Sequence, residues 1–381
     1  MKNSISCWEK NLIGISRSQG EEFNMHLSTT VLLTGVGSPS APGVIKSLRS
    51  ARNHHFKIVG MDIDPDVATK AMVDKFFVGP EATSSHFIEE CLTLCRAEKV
   101  DVILPLVSME LPRFSKNKQR FKGMGIEVSV SEHSSLIKAM NKGKLFQALK
   151  DKKISVPQSI TVHTVDQLRK AIYDLGYPNR PVCMKPTVSD GSRGFRILDS
   201  QKNRLEHLFY EKPDSSYISV QELLDMLKDA YDIPETIVME YLPHEEYSVD
   251  ILANQGEVII AIPRLREKIT DGISVKSLIV KEDDVIEYTS RIVKELGLHG
   301  NIGVQVRRDQ NHQPKILEIN PRIQGTIVHC TAAGVNLPYL AIKLAKNMAI
   351  NPEECTVQWG TRMRRYWDEV YFDSDGNSIQ F

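Results

Sequence analysis

The stretch GNIGVQVRRDQNHQPKILEINPRIQG, residues 300 to 325, limits the possible folds of this chain more than any other stretch. Two runs of β-forming residues flank the polar segment DQNHQP, which is the pattern of a β-hairpin. If Arg308 and Lys315 close the turn, Gln305 lies directly opposite Glu318 on the neighbouring strand, with Cβ atoms roughly 4.5–5.5 Å apart. The pattern therefore predicts two polar side chains in contact on one face of a hairpin.

That face carries the kind of groups to which a magnesium ion binds. Side chains alternate along a strand, so Asn320 shares a face with Glu318, and Arg322 follows them. One carboxylate and the amide oxygens of Asn320 and Gln305 are hard ligands, which suit Mg²⁺ when it also binds nucleotide phosphates. An adjacent guanidinium suits a phosphoryl group. An ordinary hairpin with a polar, solvated face has the same pattern, and the hairpin alone favours this simpler interpretation.

Composition narrows the class of protein. The 381 residues are 41% hydrophobic and 25% charged, which is enough for two or three domains with real cores. The 48 basic and 48 acidic side chains give a formal net charge of zero, which argues against a nucleic-acid or membrane-surface binder. The six cysteines show neither zinc spacing nor a disulfide framework. No apolar run is long enough to span a bilayer, so we expect a reduced, cytoplasmic protein.

The N-terminal third is predicted to be an α/β domain. Residues 1–27 are polar and lack the apolar core of a signal peptide, and we assign this extension no function. From residue 28 to residue 133 strands alternate with helices, which predicts a Rossmann-like domain with a parallel, doubly wound sheet. Gly35, Gly37 and Gly43 do not form the GxGxxG pattern of a nicotinamide site. The side chains that can line a crevice at the carboxyl ends of these strands are Ser38, Ser40 and Glu110.

Two lysines and a glycine-rich loop follow. Lys142 lies near the start of a predicted helix, where a solvated basic face is the simpler interpretation. Lys185 lies in a strand between apolar residues, and residues 187–194 after it form a loop that contains Ser192 and Arg193. Backbone N–H groups in such loops bind anions. A flexible hairpin loop has the same composition, but a lysine before it and an arginine within it favour a lid over phosphates.

Residues 236–268 are predicted to form successive strands. Glu240, Tyr241 and Leu242 form a strand edge whose backbone groups can contact a flat ring. Glu246 is placed for sugar hydroxyls or a metal, although a solvated acid at a strand end has the same sequence.

Two arginines on the same stretch predict a carboxylate clamp. Arg264 and Arg266 are two residues apart and share one strand face, and Lys276 follows after a turn. Arginine binds carboxylates through two parallel hydrogen bonds. Since exposed charges cost little, solvation of all three cations is an equally good interpretation.

The order of these parts is that of a known superfamily. A Rossmann-like domain precedes a helix lysine, a strand lysine with a Gly-rich loop, a MEYL segment and the hairpin. The chain resembles the ATP-grasp superfamily, most closely a single synthetase unit of the carbamoyl-phosphate synthase large chain. The NVQ…EVNPR, GVPL and REHIEEAG motifs of those units read here IGVQ…EINPR, GVNL and REKITDG. The resemblance covers roughly residues 30 to 345 and implies a two-lobed ATP-grasp domain of α+β class over residues 134–345, followed by a C-terminal tail, 346–381.

The resemblance also implies roles for individual residues. Those implied to bind ATP are Lys142, Lys185, Ser192, Arg193, Glu240, Tyr241, Leu242 and Glu246. Those implied to hold Mg²⁺, or Mn²⁺ in its place, are Gln305, Glu318 and Asn320. Within the first group the lysines contact phosphates, the MEYL segment brackets adenine, and Glu246 contacts ribose. The implied catalytic residues are Lys185, Arg322 at the acyl-phosphate site, and Arg266 at the carboxylate.

Departures from the resemblance shape the predicted function. Asn141 stands where many members carry aspartate, only one ATP-grasp unit is present, and the helical segment 215–233 is longer than the comparable connection. These differences disfavour carbamoyl phosphate synthesis itself. We therefore predict an ATP-dependent carboxylate–amine ligase that acts on small molecules through an acyl phosphate, with a homodimer through the N-terminal domain implied by the resemblance. The alternatives are carboxyl phosphorylation of the carbamoyl-phosphate kind, a nucleotide-dependent dehydrogenase and a non-catalytic nucleotide-binding scaffold.

Overall fold

The N-terminal part of the protein is a parallel sheet between helices. The structure, a computed structural model, describes residues 27–189, 193–210, 216–270, 272–374 and 376–379, so nearly all of the predicted polar extension lies outside the described residues. The sheet has five strands in the order β3-β2-β1-β4-β5. Its elements are β1 (Leu27–Thr34), α1 (Ala41–Arg49), β2 (His54–Asp62), β3 (Lys75–Val78), α2 (Phe87–Glu98), β4 (Val102–Pro105), α3 (Leu111–Lys122) and β5 (Glu127–Val128).

Burial explains why this sheet is parallel and central. Val31, Leu32 and Leu33 follow one another in β1 and all three are fully buried. Consecutive buried residues mean that both faces of the strand are covered, as in sheets with helices on each side. The strand β3 was not predicted, because four residues with half-exposed aromatic side chains give too short a pattern. The predicted doubly wound α/β domain is confirmed.

Two antiparallel sheets follow and form the two lobes of the remaining chain. The first lobe has the strand order β6-β9-β7-β8, and the second has the order β14-β13-β10-β11-β12-β15. Two helices, α4 (His133–Met140) and α5 (Lys142–Asp151), lead into the first lobe. Its elements are β6 (Ser159–Thr164), α6 (Val165–Asp174), β7 (Val182–Pro186), β8 (Arg196–Leu198), α7 (Arg204–Tyr210), α8 (Val220–Met226) and β9 (Asp232–Glu240).

The second lobe contains the hairpin and receives part of the C-terminal segment. Its elements are β10 (Glu246–Asn254), β11 (Glu257–Thr270), β12 (Ile273–Ile279), α9 (Asp283–Leu296), β13 (Gly300–Arg308), β14 (Pro314–Asn320), α10 (Val328–Ala332), α11 (Leu337–Ala345) and β15 (Arg362–Arg364). The short strands β16 (Tyr371–Phe372) and β17 (Ser378–Ile379) pair with each other. Pairing of β15 with β12 makes residues of the predicted C-terminal tail an edge strand of this lobe.

The register of the β13–β14 hairpin corrects one prediction and confirms another. Arg308 pairs with Pro314 and not with Lys315, so the predicted closure of the turn is wrong by one residue. An irregularity after Gln305 shifts the register back, and Gln305 does pair with Glu318. A β-bulge adds one residue to one strand, which compensates for the shift at the turn.

The N-terminal sheet and the second lobe share one apolar core. Val31 and Leu33 belong to the same buried cluster as Ile262, Ile323 and Leu340 from the second lobe. Burying apolar surface contributes about 25 cal/mol per Å² to stability, so this shared core holds the two sheets against each other. The segment after the hairpin is therefore held against the carboxyl ends of the N-terminal strands. Among the described helices, none combines the length and the apolar character that crossing a membrane requires.

We expect Gly303→Ala to destabilise the protein by about 1–3 kcal/mol through overpacking. A Cβ atom at Gly303 would lie 2.1 Å from Cγ of Gln324, whose amide donates to Asp250 Oδ1 at 3.1 Å. The buried glutamine has to leave that hydrogen bond or push the strand aside. Chemical denaturation measures the loss. Gly325→Ala is the control, since its nearest neighbour would be Pro39 Cβ at 3.9 Å, and equal stability of Gly303→Ala and wild type would contradict the predicted clash.

Candidate functional site

Three charged side chains from three elements meet at strand β14 of the hairpin. Lys142 begins α5, Lys185 lies in β7, and Glu318 lies in β14. Lys142 Nζ is 3.4 Å from Glu318 Oε2, and Lys185 Nζ donates to the carbonyl of Leu317 at 3.0 Å. Lys142 and Lys185 are 4% and 8% exposed. Two buried ammonium groups around one carboxylate leave an excess of positive charge, which favours an anionic ligand.

The pKa values of this cluster follow from burial and mutual charge. Burial lowers the pKa of Lys185, and the nearby Lys142 lowers it too, while Glu318 opposes both effects. Burial would raise the pKa of Glu318, but the charges of Lys185 and Lys142 hold it below its usual range. The carboxylate is therefore ionised at neutral pH and available to a cation.

The predicted metal ligands come together as the sequence indicated. Gln305 pairs with Glu318 across the hairpin, and Asn320 Nδ2 donates to Glu318 Oε1 at 3.3 Å. Arg322 Nη2 donates to Asn320 Oδ1 at 3.2 Å. A carboxylate and two amides are hard donors of the kind Mg²⁺ accepts, so the donor set fits this ion.

Arg322 links the hairpin to the N-terminal domain. Its Nε donates to Ser108 Oγ at 3.3 Å, and its Nη1 donates to the carbonyl of Ile323 at 2.9 Å. Ser108 follows β4 at the carboxyl end of the parallel sheet. Ligands commonly bind outside the carboxyl ends of parallel strands. The guanidinium of Arg322 therefore lies at the boundary between the lysine cluster and a crevice of the N-terminal domain.

Glu110 lies two residues beyond Ser108 and is 8% exposed. The Thr34 hydroxyl donates to Glu110 Oε2 at 2.5 Å. Burial raises the pKa of Glu110 to about 7, with Thr34 opposing the rise and Asp62 adding to it. Asp62 Oδ2 accepts a hydrogen bond from the Gly37 amide at 2.7 Å. The crevice predicted from Ser38, Ser40 and Glu110 thus contains one carboxyl group that changes charge near neutral pH.

The MEYL segment ends β9 and contacts the start of the first lobe. Glu240 Oε1 accepts a hydrogen bond from the backbone N–H of Gln158 at 2.9 Å. Leu242 is buried, and the guanidinium of Arg307 lies 5.1 Å from the centre of the Tyr241 ring. These side chains hold the strand end in place, and the backbone N–H of Glu240 itself donates to the carbonyl of Gln158 at 3.0 Å.

The two arginines of the predicted carboxylate clamp already have carboxylate partners within the protein. Arg266 forms an ion pair with Glu246, and its other donors reach Ser274 Oγ at 3.1 Å and the carbonyl of Gly272 at 2.6 Å. Arg264 Nε donates to Asp250 Oδ2 at 2.5 Å. Both arginines therefore already hold carboxylates of β10, because the register of β10 with β11 places those acids beside them.

The remaining predicted residues are only partly described. Ser192 lies outside the described residues, as do its two preceding neighbours, whereas Arg193 lies next to Gly194 on the exposed surface. Lys142 Nζ donates to the carbonyl of Ser189, 3.0 Å away, just before that gap. The departure at Asn141 has a local explanation, since its Nδ2 donates to a carboxylate oxygen of Glu235, which an aspartate could not do, while its Oδ1 caps α5 by accepting from the Lys144 backbone N–H.

Asp250 and Glu235 are among the polar residues of this region that the sequence did not single out. Glu235 accepts from Asn141 Nδ2 at 3.0 Å, and Asp250 holds Arg264. A signal for Asp250 existed in the sequence, because a lone acid in the apolar run of β10 needs a buried cation as partner.

We expect Glu110→Gln to change how the free energy of unfolding depends on pH. The folded protein keeps this proton up to a pKa of about 7, whereas the unfolded chain loses it near pH ~4.3. Between those values only the folded state binds the proton, so stability falls as the pH rises through them. Glutamine removes this loss, which is on the order of 2–3 kcal/mol.

Chemical denaturation at about pH 5 and about pH 8 measures this effect. The exposed Glu81 supplies the matched control, and Glu81→Gln should retain the wild-type pH dependence. If Glu110→Gln and wild type lose the same stability between the two pH values, Glu110 does not carry a raised pKa.

Comparisons with known proteins agree with this geometry. Residues 232–368 match the family model described as ATP-grasp in the biosynthetic pathway with Ter operon, and residues 31–129 match that of the PylC-like N-terminal domain. The carbamoyl phosphate synthase large chain of Thermoanaerobacter sp. (strain X514) is 24% identical over 236 residues. That alignment covers 58% of this chain and 20% of the relative, so the chain spans about a fifth of the relative's length.

Solved structures show the same fold. The ADP complex of purK, N5-carboxyaminoimidazole ribonucleotide synthetase, has a TM-score of 0.62 at 17% identity, covering 87% of this chain and 80% of that one. The L-amino acid ligase from Bacillus licheniformis has a TM-score of 0.60 at 15% identity, covering 86% and 77%. The biotin carboxylase domain dimer of Hydrogenobacter thermophilus 2-oxoglutarate carboxylase, with MgADP and bicarbonate, has a TM-score of 0.62 at 14% identity, covering 92% and 83%. The chain therefore carries an ATP-grasp domain, matched over residues 232–368, after a PylC-like N-terminal domain, matched over residues 31–129.

Proposed function

We propose that this protein is an ATP-dependent carboxylate–amine ligase that acts through an acyl phosphate and releases ADP and phosphate. The observation that carries the proposal is the meeting of Lys142, Lys185 and Glu318 beside Asn320 and Arg322. Two buried cations suit phosphates, the carboxylate and amides suit Mg²⁺, and the arginine suits a developing acyl phosphate.

The phosphate side of the proposed site is built by the lysines and the hairpin. Lys142 and Lys185 bind the phosphates of ATP, and their attraction to Glu318 keeps them in place. Gln305, Glu318 and Asn320 would hold Mg²⁺, which neutralises phosphate charge when bound. Buried and fixed charges act strongly here because little water screens them.

Arg322 lies where the acyl phosphate would form. A carboxylate oxygen of the substrate attacks the γ-phosphorus of ATP, and the bond to the β-phosphate oxygen breaks to release ADP. The amine nitrogen then attacks the acyl carbon, loses a proton, and displaces inorganic phosphate. Positioning and charge neutralisation by Lys185 and Arg322 suffice for both steps, and no protein nucleophile is needed.

The nucleotide base and ribose have their own proposed ligands. Backbone groups of Glu240, Tyr241 and Leu242 bracket adenine, and Glu246 contacts the ribose hydroxyls. Arg266 holds Glu246 by an ion pair, and its remaining donors are also engaged. We therefore propose that Arg266 positions Glu246, a role the geometry favours over direct binding of the substrate carboxylate.

The similar proteins include a small-molecule ligase, which supports the proposal, and a carbamoyl phosphate synthase, which supports a second candidate function. The similar L-amino acid ligase supports a ligase activity, and the purK and carboxylase structures contain ADP or MgADP. Carboxyl phosphorylation of the carbamoyl-phosphate kind is the second candidate, favoured by the matched synthase. The carboxylase structure is a dimer, which agrees with the homodimer that we propose. A cytoplasmic location is proposed from the cysteine pattern alone.

A screen of amino acids and small carboxylates, each with and without an amine, tests the function through ADP release. A ligase requires both substrates for sustained turnover, whereas carboxyl phosphorylation of the second kind proceeds with bicarbonate as the only carboxyl source. ADP release that no carboxylate stimulates would contradict the ligase proposal.

We expect Glu318→Gln to lower ADP production at least a hundredfold, on the order of the loss that removing one key electrostatic group causes. The glutamine keeps the shape but cannot balance the two lysines or contribute a negative ligand. The variant should also unfold at lower denaturant concentration, because Lys142 loses its ion pair.

Turnover and denaturation are measured on the same preparation, so loss of activity is separated from loss of fold. The control is Glu245→Gln, a half-exposed acid at the start of β10, which should keep wild-type turnover. Near-wild-type ADP production by folded Glu318→Gln would contradict the site.

We expect Arg266→Ala to raise the KM for ATP by roughly ten- to thirtyfold, since losing a charge-assisted hydrogen bond costs on the order of 1.5–2 kcal/mol. Glu246 loses this ion pair and keeps only the longer one with Arg307, at 3.9 Å, so the ribose loses a fixed ligand. The KM for the carboxylate should change little, and steady-state kinetics with each substrate varied measures both. A rise in the carboxylate KM alone would instead assign Arg266 to carboxylate binding. Arg364→Ala, on the exposed face of β15, is the control.

A further inference from the structure

The segment Gln324–Thr326, which follows Arg322 and Ile323, is held on one side by the carboxylate partner of Arg264 and on the other side by Arg365 itself. On one side Gln324 Nε2 donates to Asp250 Oδ1 at 3.1 Å, and Asp250 Oδ2 accepts from Arg264 Nε. On the other side Arg365 Nη2 donates to the carbonyl of Gly325 at 3.1 Å. Arg264 and Arg365 therefore flank the same short segment.

One nitrogen of the Arg264 guanidinium is buried without a hydrogen bond among the described residues. The side chain is 1% exposed, and its Nε is taken by Asp250. In the part of the chain that the structure describes, no acceptor reaches its buried Nη1. A buried donor without an acceptor is costly and rare in native proteins, which points to a partner from outside the chain.

Arg365 has the same property and comes from a different part of the chain. It follows β15, and its backbone amide donates to the carbonyl of Val275 at 2.9 Å. Its Nη2 reaches only the neutral oxygens of Gly325 and Thr326, and its buried Nε has no acceptor within the described ranges. Burial lowers the pKa of Arg365, and the charge of Arg264 lowers it further.

The charge around these two arginines is not balanced. Asp250 neutralises Arg264, but no carboxylate among the described residues forms an ion pair with Arg365. His329, near Arg264, is neutral since burial lowers its pKa to about 4, and its ring binds Ser277 Oγ and the carbonyl of Thr361. One positive charge and two buried donor nitrogens, Arg264 Nη1 and Arg365 Nε, thus remain for a ligand.

We propose that Arg264 and Arg365 together bind a carboxylate group of the substrate, next to the position of Arg322. A carboxylate offers one negative charge and two oxygens, which match one unbalanced charge and two unused donors. A phosphate dianion would carry a second charge close to Asp250 and fits less well. The proposal deepens the proposed ligase function, because it assigns substrate recognition to a residue of the C-terminal segment.

The test uses the full-length protein without nucleotide and sodium acetate as the probe, measured by ligand-observed NMR titration. Arg365→Gln removes the unbalanced charge and the Nε donor. Arg264→Lys keeps a cation for Asp250 but removes the unused Nη1 donor. Each variant should raise the acetate Kd by at least about tenfold, as expected for one charge-assisted contact. Arg365→Lys should lie between Arg365→Gln and wild type.

Arg364→Gln is the matched control, because Arg364 lies one residue away but pairs with Glu267 on the exposed face. It should bind acetate like wild type. Acetate binding that is absent from the wild type, or unchanged in both Arg365→Gln and Arg264→Lys, would overturn the subsite. Tighter binding of inorganic phosphate that both variants abolish would overturn the assignment to a carboxylate.

The readout is independent of the ligase proposal. If acetate binding behaves as expected while no carboxylate stimulates ADP release, the subsite is supported and the protein catalyses a reaction other than the proposed ligation. If ADP release depends on a carboxylate while acetate binding is indifferent to both variants, the ligase stands and the substrate binds elsewhere. Urea denaturation of each variant separates weak binding from a loss of fold.

Discussion

The attraction between one buried carboxylate and two buried ammonium groups organises this molecule. Glu318 comes from the second lobe, Lys185 from the first, and Lys142 from the helix that joins the N-terminal domain to them. Removing charges from water is expensive, and only close opposite charges offset that cost. Glu318 thus attracts one lysine from each of the two other elements, and the three side chains together carry one net positive charge. A site of this kind is more stable with phosphates and a cation bound than without them.

A second constraint is the apolar core that the N-terminal sheet shares with the second lobe. Ile323 and Ile327 belong to that core, and both lie in the segment that carries Arg322. A rigid backbone on either side of the arginine explains how its side chain reaches Asn320 and Ser108 together. The lysine cluster and the N-terminal crevice thus meet at Arg322, whose position is fixed by packing. A ligand beside Arg322 would be within reach of groups from both domains.

The hairpin could be predicted from sequence because its signal is local, whereas the role of Lys142 followed only from the resemblance. Alternation of side chains and a polar turn placed Gln305 opposite Glu318, although the turn itself closes one residue earlier than predicted. What could not be predicted depends on contacts between distant segments. The short β3 has too few residues for a pattern, and β15 joins the sheet only because the edge of β12 is available. The raised pKa of Glu110 likewise needs the burial that the complete fold provides.

The arginines of β11 show why a shared face is insufficient to assign a ligand. Their spacing predicted a clamp, but β10 and β11 are antiparallel neighbours with Tyr247 opposite Leu265. The same register brings Glu246 next to Arg266, so strand pairing supplies the carboxylate before any substrate does. Arg264 differs in one respect, because Asp250 satisfies its Nε and leaves Nη1 buried without an acceptor among the described residues. Pairing of charges inside the sheet thus argues against Arg266 as a direct ligand and favours Arg264, and only the contacts of individual nitrogen atoms distinguish the two.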